Sequence, residues 1–478
     1  MSNTSANTPA TQRIDALLDA GSFVEIAGGV TARSTDFNEG AAKEASDGVI
    51  TGYGLMDGRL VYVYSQDASV MNGTVGEMHA KKIIHLYNMA MKMGAPVIGL
   101  LDSAGFRLTE ATDALEALSR LYFKQTMASG VIPQVAAVFG NCGGGLAVSA
   151  ALADFVLMDA DNGRLFLNPP NAIPGNNESD CDTSKADFQS AKGGNVDFVG
   201  TEAEVLGAIK QLLAFLPSNS EENDSYEECA DDLNRTVPDV AGAADDPAIV
   251  AYHLADGNVF FETKKTYAPD MMTGFMRLGG ATVGVVANRS KVYDADGKAE
   301  ECLDGLTPFG MNKAAGFVSF CDAFEIPVLT LSNVSGFHAN EWAEQGLAKN
   351  AARFVTALAN ASVPKVNVIT GSLMGSAYSV MNSRALGADM VYAWNDAKVG
   401  MMDAEMAAKI LNPDADADTI AKKKAEYDEK LNSAASALAR GYVDTLIDPA
   451  QTRKFIIGAF DMLMTKQEER PYKKHVVK

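Results

Sequence analysis

Residues 95–110 read APVIGLLDSAGFRLTE, and residues 326–341 read IPVLTLSNVSGFHANE. Pro96/Pro327, Val97/Val328, Leu100/Leu331, Gly105/Gly336, Phe106/Phe337 and Glu110/Glu341 match at one offset, without a gap. The register runs back to Lys82/Lys313 and forward through Pro133/Pro364 and Gly140/Gly371 to Gly144/Gly375. The later part of each copy predicts a strand, a turn of small residues and a helix. The chain therefore reads as two like halves, each with its own turn of this kind.

The order of elements supports the division. Residues 12–26 predict a short helix, Gly21 and then a strand, and LADGNVFFE at 254–262 is a similar phrase. GRLVYVYSQD (58–67) and GATVGVVANR (280–289) have the apolar patterning of buried strands. Residues 77–93 place apolar side chains at helical spacing. Buried strands follow at 96–101, 135–139 and 154–158, with helices expected at 110–128 and 146–153. Strands alternating with helices argue for an α/β class with parallel sheet. With 478 residues, two domains are expected, assigned as 1–235 and 236–478. Residues 217–247 hold ten acidic side chains between Glu221 and Asp246 against one base, Arg235. Such composition predicts a solvated connection. The segment 412–433 reads as a polar helical excursion.

Net charge is −21, which argues against a nucleic-acid partner but not against a phosphorylated cofactor, which needs only a local basic pocket. No apolar run is long enough for a membrane span, and MSNTSANTPATQ has no signal-peptide pattern. A cytoplasmic location is expected. The five cysteines form no CxxC, so no zinc ribbon or disulfide framework is predicted. His79 and His85 lack the i,i+4 spacing of a helical zinc site; no metal is expected.

The chemistry is expected at the turns. Gly140-Asn-Cys-Gly-Gly-Gly145 precedes a helix, and Gly371-Ser-Leu-Met-Gly-Ser-Ala377 is its partner. Unpaired N–H groups at a helix start, aided by the helix dipole, can hold an oxyanion. The first run is neither GxGxxG nor GxxxxGK[ST]. No GxSxG elbow occurs, and no histidine is placed for a nucleophilic triad. Two turns of this type predict electrostatic catalysis between two carbonyl compounds. Ala90-Met-Lys-Met93 spells the tetrapeptide on which biotin carriers are modified, but it falls at the end of a predicted helix rather than on a hairpin tip.

Several longer phrases carry a family resemblance: DGVITGYGLMDGRLVYVYSQD (47–67), GEMHAKKI (76–83), GAPVIGLLDSAGFR (94–107), SGVIPQVAAVFGNCGGG (129–145), FVSFCDAFEIPVLTL (317–331), YAWNDAKVGMMDAEMAAKI (392–410) and ARGYVDTLIDPAQTRK (439–454). In content and order the chain resembles the carboxyltransferase subunits of biotin-dependent acyl-CoA carboxylases, decarboxylases and transcarboxylases. The propionyl-CoA carboxylase β and methylmalonyl-CoA decarboxylase α types are nearest in style.

The resemblance implies two tandem crotonase-like domains of repeated ββα units, the first serving acyl-CoA and the second biotin. It implies a ring-shaped homo-oligomer, a hexamer built as a trimer of dimers, with each active site between two subunits. Gly144 and Gly145, with Leu146, would hold the thioester carbonyl; Gly375 and Ser376, with Ala377, would hold the ureido oxygen of biotin. Ser379 and Phe337 would be cofactor-binding residues, and position 379 is where the family often places an Asp or Ile that tunes acyl choice, so Ser379 leaves the acyl substrate open. Biotin would arrive on a separate carrier protein, charged by a biotin carboxylase or served by a membrane decarboxylase subunit. Carboxybiotin would release CO2, the biotin anion would take the α-proton, and the enolate would attack CO2.

This chain departs from the family at those same places. The family's Ala-Gly-Gly-Ala is Gly143-Gly-Gly-Leu146, and Tyr-Gly-Gly-Ala-Tyr-Asp is Met374-Gly-Ser-Ala-Tyr-Ser379. Pro-Gly-Phe is Ser335-Gly-Phe337, followed by His338. Two alternatives stay open: a non-catalytic paralogue in a mixed oligomer, and a biotin-independent crotonase-type enzyme with Glu110 as its nearest candidate acid or base.

Overall fold

The structure, a computed structural model, describes residues 7–37, 46–222, 225–294 and 296–471. The chain divides into two compact units, Met1–Ser225 and Tyr226–Lys478.

The first unit runs α1 (Pro9–Leu17), β1 (Val24–Ile26), β2 (Val49–Met56), β3 (Arg59–Gln66), α2 (Glu77–Met93), β4 (Val97–Ser103), α3 (Thr112–Ala128), β5 (Gln134–Gly143), α4 (Gly145–Ala151), β6 (Phe155–Asp159), β7 (Arg164–Phe166), β8 (Phe198–Gly200) and α5 (Glu202–Phe215). Its sheet is ordered β1-β2-β3-β4-β5-β6-β8, with β7 beside the end of β5.

The second unit runs α6 (Pro247–Leu254), β9 (Phe260–Thr263), β10 (Met271–Leu278), β11 (Ala281–Asn288), the hairpin β12 (Lys291–Tyr293) and β13 (Ala299–Glu301), then α7 (Pro308–Ala323), β14 (Val328–Val334), α8 (Glu341–Glu344), α9 (Leu347–Asn360), β15 (Lys365–Met374) and α10 (Gly375–Val380). It closes with β16 (Met390–Trp394), β17 (Lys398–Gly400), α11 (Ala404–Leu411), α12 (Ala417–Tyr427), α13 (Ala434–Ala439), β18 (Thr445–Ile447) and α14 (Thr452–Leu463). The sheet order β9-β10-β11-β14-β15-β16-β18, with β17 beside β15, repeats that of the first unit. This is the tandem crotonase-like α/β architecture expected from the sequence.

One expectation needs correction: the sheets are mixed. β1-β2-β3 and β9-β10-β11 are antiparallel, and pairing turns parallel only from β3-β4 and β11-β14 onward. A two-residue connection, Asp57-Gly58, joins β2 to β3, which is too short for the crossover a parallel pair needs. The parallel strands are buried on both faces, hence their unbroken apolar runs: Val97–Leu101 is buried throughout.

The acidic segment is also more than a solvated connection. Val237 and Val240 are buried, and the Val237 N–H donates to the Ala450 carbonyl at 2.9 Å. Asp231 and Asp256 flank Arg453, which is wholly buried and donates to the Asp256 carboxylate at 2.6 Å and the Leu254 carbonyl at 2.5 Å. The carboxylates from Asp231 to Asp256 thus include counter-ions for a buried arginine, which composition alone reads as surface charge. The excursion at 412–433 matches its reading: α12 has no buried residue and starts at an Asp416 cap.

The repeated lysines are buried and held by backbone carbonyls. Lys82 donates from Nζ to the Ser46 carbonyl at 2.9 Å and to that of Val49. Lys313 donates to the carbonyls of Lys264 and Tyr267 at 2.8 and 2.9 Å. Each ammonium ties its helix to two carbonyls three residues apart, and burial lowers these lysines to about 8 and about 7. His79 lies beside the first clamp, wholly buried, with Nδ1 3.0 Å from the Asp47 carbonyl. Burial first, then the Arg107 charge, push it down to about 3. It is a neutral structural residue.

Candidate active site

The parallel strands of each unit end, at their carboxyl side, in the turn singled out above. β5 runs to Gly143 and α4 begins at Gly145, so Gly144 makes the reversal alone, with φ 61° and ψ −134°. That backbone strongly favours glycine. Gly375 makes the matching reversal with φ 60°.

The Gly144 N–H is not available for an incoming oxygen. It donates to the Phe166 carbonyl at 2.9 Å, continuing the ladder in which Gly143 pairs with Phe166. The expectation of a donor at Gly144 is corrected on this ground; its part is to turn the chain. The next two amides differ. Among the described residues, the N–H groups of Gly145 and Leu146 have no protein acceptor, and the ladder from α4 back to the turn begins with Ala147 donating to the Gly144 carbonyl at 3.0 Å. The Leu146 side chain is buried in the first unit's core, so the larger residue is accommodated inside the unit.

Gly145 is gripped tightly. A Cβ there would lie 2.6 Å from Cζ of Phe106, 2.8 Å from Oη of Tyr122 and 2.9 Å from Cδ2 of Leu118. Phe106 is placed by a short bridge to Val75, in which Val75 donates to Gly105 and Arg107 donates to Val75. The second unit repeats it: Leu306 donates to Gly336 and His338 donates to Leu306.

At the second turn Gly375 follows the ladder in which Met374 pairs with Gly400, as Gly144 follows that of Gly143 with Phe166, so the expectation of a donor at Gly375 is corrected in the same way. The N–H groups of Ser376 and Ala377 have no acceptor among the described residues. Ser376 and Ser379 are exposed, while Ala377 and Met374 are buried. A Cβ at Gly375 would meet the Met401 carbonyl at 3.4 Å. Phe337 is half-buried in its bridge to Leu306 and, unlike Phe106, does not come within 4 Å of that Cβ position. Below both turns a side chain from the neighbouring strand packs under a glycine at the matching register: Asp102 under Gly140, and Asn333 under Gly371. Asn333 Oδ1 also accepts from the Ser372 N–H at 3.0 Å.

Glu110 is unsuited to acid–base work. It is buried, accepts from Arg107 Nη1 at 2.8 Å and from the Glu77 N–H at 2.6 Å. The same arginine nitrogen reaches Asp47 at 2.5 Å. Glu110 belongs to a closed ion-pair cluster that fixes the start of α2. Lys92 lies in the last turn of α2, which ends at a left-handed Gly94, so the AMKM phrase is helical.

Sequence reasoning found both turns and missed Tyr122, Leu118, Phe166 and Met401. The first three lie about 20 to 30 residues from Gly144 and carry no local signal; Phe106, matched across the repeat, did carry one.

A model of the carboxyl transferase domain matches residues 3–477. The propionyl-CoA carboxylase beta chain of Roseobacter denitrificans is 40% identical over 480 residues, covering 98% of this chain and 92% of that protein. The methylmalonyl-CoA decarboxylase subunit alpha of Veillonella parvula is 37% identical over 481 residues, with the same two shares. The crystal structure of the transcarboxylase 12S hexamer, with hydrolysed methylmalonyl-coenzyme A bound, gives a TM-score of 0.89 at 35% identity, over 98% of this chain and 91% of that one. A family match over nearly every residue, together with a doubled sheet ending in paired amide turns, settles the assignment: the chain belongs to the carboxyl transferase domain family.

Proposed function

We propose that the chain is the carboxyltransferase subunit of a biotin-dependent acyl-CoA carboxylase or decarboxylase, moving a carboxyl group between carboxybiotin and the α-carbon of propionyl-CoA or methylmalonyl-CoA. The observation that carries this reading is the recurrence, at one register in both units, of adjacent backbone amides without acceptors among the described residues: Gly145 and Leu146, and Ser376 and Ala377. The first turn takes the thioester oxygen on the N–H groups of Gly145 and Leu146. Negative charge grows on that oxygen as the α-proton leaves, so these donors bind the transition state more strongly than the ground state. One such donor is worth about 3–4 kcal/mol. No side-chain base is needed, consistent with Glu110 being held in its ion-pair cluster.

The second turn fits biotin: a ureido oxygen is a pure acceptor, and the amides of Ser376 and Ala377 present donors only. Biotin, when bound, supplies the transferable carboxyl group. The amides of the second turn hold and orient its ureido oxygen, and exposed Ser376 and Ser379 leave that mouth polar. Lys92 lies in a helix rather than on a hairpin tip, and biotin arrives on a separate carrier protein. A biotin carboxylase or a membrane decarboxylase subunit completes the system, and the chain assembles as a homohexamer, a trimer of dimers.

The test is decarboxylation. The purified chain receives methylmalonyl-CoA with and without free biotin, and CO2 release is followed. Biotin-dependent release supports the reading. Absence of release from a folded oligomer assigns the chain to a non-catalytic place in a mixed ring, and release indifferent to biotin assigns it to biotin-independent crotonase chemistry.

A further inference from the structure

Tyr122, in α3, donates its hydroxyl proton to the Gly145 carbonyl. That carbonyl and the Leu146 N–H are the two ends of one peptide group. The group is planar, so fixing the carbonyl fixes the direction of the N–H on the other side. We propose that Tyr122 is a positioning residue for the first turn, aiming and polarising the Leu146 N–H as a donor to the thioester oxygen. The inference rests on the function proposed above.

Three observations support it. First, the turn has little redundancy: the Gly144 amide is bonded to Phe166, and among the described residues the Gly145 and Leu146 amides are the ones without a protein acceptor. The orientation of each therefore counts. A hydrogen bond to a carbonyl also strengthens the donor at the far end of the same amide.

Second, Tyr122 is not what holds α3 against α4. One turn farther on, Gln125 Nε2 donates to the Ser149 carbonyl at 3.1 Å, and Ser149 Oγ donates to Gln125 Oε1 at 2.8 Å. The buried residues Leu118 and Leu121 are in the same core as Leu146 and Ala150. Loss of one hydroxyl leaves these contacts in place.

Third, the arrangement is confined to the first turn. The register match of Tyr122 is Arg353, whose Nη1 donates to Asn312 Oδ1 at 2.7 Å instead of reaching the second turn. The reversing glycines, Gly144 and Gly375, share one register and one φ, so the tyrosine marks a demand made at the first turn and not at the second. The thioester oxygen gathers negative charge as the enolate forms, and a well-aimed donor stabilises that charge.

The experiment is Tyr122→Phe in the full-length oligomer, read in two ways. Steady-state decarboxylation of methylmalonyl-CoA with free biotin is expected to show kcat reduced about tenfold with KM for the thioester changed less than about twofold, the pattern of a lost transition-state interaction. Infrared difference spectra of propionyl-CoA carrying a 13C-labelled thioester carbonyl, bound without a carboxyl donor, report donor strength directly. The carbonyl band of the bound thioester is expected to lie at lower frequency in the parent than in the variant. A parent with the low-frequency band and a variant matching it in both band and kcat overturns the role of Tyr122 and leaves the function standing. A parent with neither turnover nor band shift overturns the function, and the inference with it. Thermal unfolding checks the fold, and a variant that melts well below the parent refutes the claim that the hydroxyl is dispensable for packing.

Discussion

Substitution of Gly145 by alanine separates what the first turn does for stability from what it does for chemistry. The added methyl would stand 2.6 Å from Phe106, 2.8 Å from Tyr122 and 2.9 Å from Leu118, whereas ordinary contact begins at 3.4 Å. All three atoms are far ends of side chains, so they can retreat by several tenths of an ångström. Such overpacking costs about 1–3 kcal/mol, which a domain stable by about 5–15 kcal/mol survives. The catalytic cost is larger. Moving the Tyr122 hydroxyl releases the Gly145 carbonyl, and the Gly145 and Leu146 donors leave the oxygen they must meet. Loss of one aligned donor predicts a fall in kcat of about 10²–10³. The assay is decarboxylation of methylmalonyl-CoA with free biotin, beside urea unfolding of the same preparation. A folded Gly145→Ala oligomer whose kcat stays within about threefold of the parent refutes the reasoning, because a shifted amide pair would then have been shown not to matter.

Two further perturbations test the scaffold. His79 has a folded pKa of about 3, below its ordinary 6.5, so between these values the unfolded chain binds the extra proton. Its contribution to stability is whole above about pH 6.5 and declines as pH falls, by about 2 kcal/mol on reaching pH 5. Urea midpoints of the parent and of His79→Gln across that range should show a flatter acid slope in the variant, and parallel slopes would assign the acid sensitivity elsewhere. Arg453→Ala strips a wholly buried charge from Asp256 and the Leu254 carbonyl. Breaking such a pair costs about 3–5 kcal/mol; a urea midpoint near the parent's would mean that the carboxylates there are neutral or hydrated.

Much of the architecture was legible because it is written twice. The strand–turn–helix phrase at 95–151 predicts β4, α3, β5 and α4 in order, and the repeat fixes β14, α9, β15 and α10 from the same pattern. Hydrophobic periodicity served well where elements are long, as in Glu77–Met93. It served badly where three residues decide an outcome. β7 is only Arg164–Phe166, too short to show a period, yet it takes up the Gly144 amide and removes one of the expected donors. The Lys82 and Lys313 clamps were illegible for a related reason: their carbonyl acceptors lie 33 to 49 residues away, and a carbonyl has no sequence signature. Tyr122 belongs to the same class, acting through a main-chain oxygen whose identity no side chain announces. The antiparallel edge was open to the eye in Asp57-Gly58, whose brevity forbids a parallel crossover.

The closed Lys clamps bear on how a doubled chain diverges. Each half fastens its own helix to its own loop, through oxygens that every amino acid possesses. Drift in the loop's side chains therefore leaves the fastening intact, and either half can change what it binds while its frame holds still. Evolutionary change can then fall on the positions where side chains touch the turn amides, and there the two halves do differ: Phe106 and Tyr122 crowd Gly145, whereas the Met401 carbonyl is what faces Gly375.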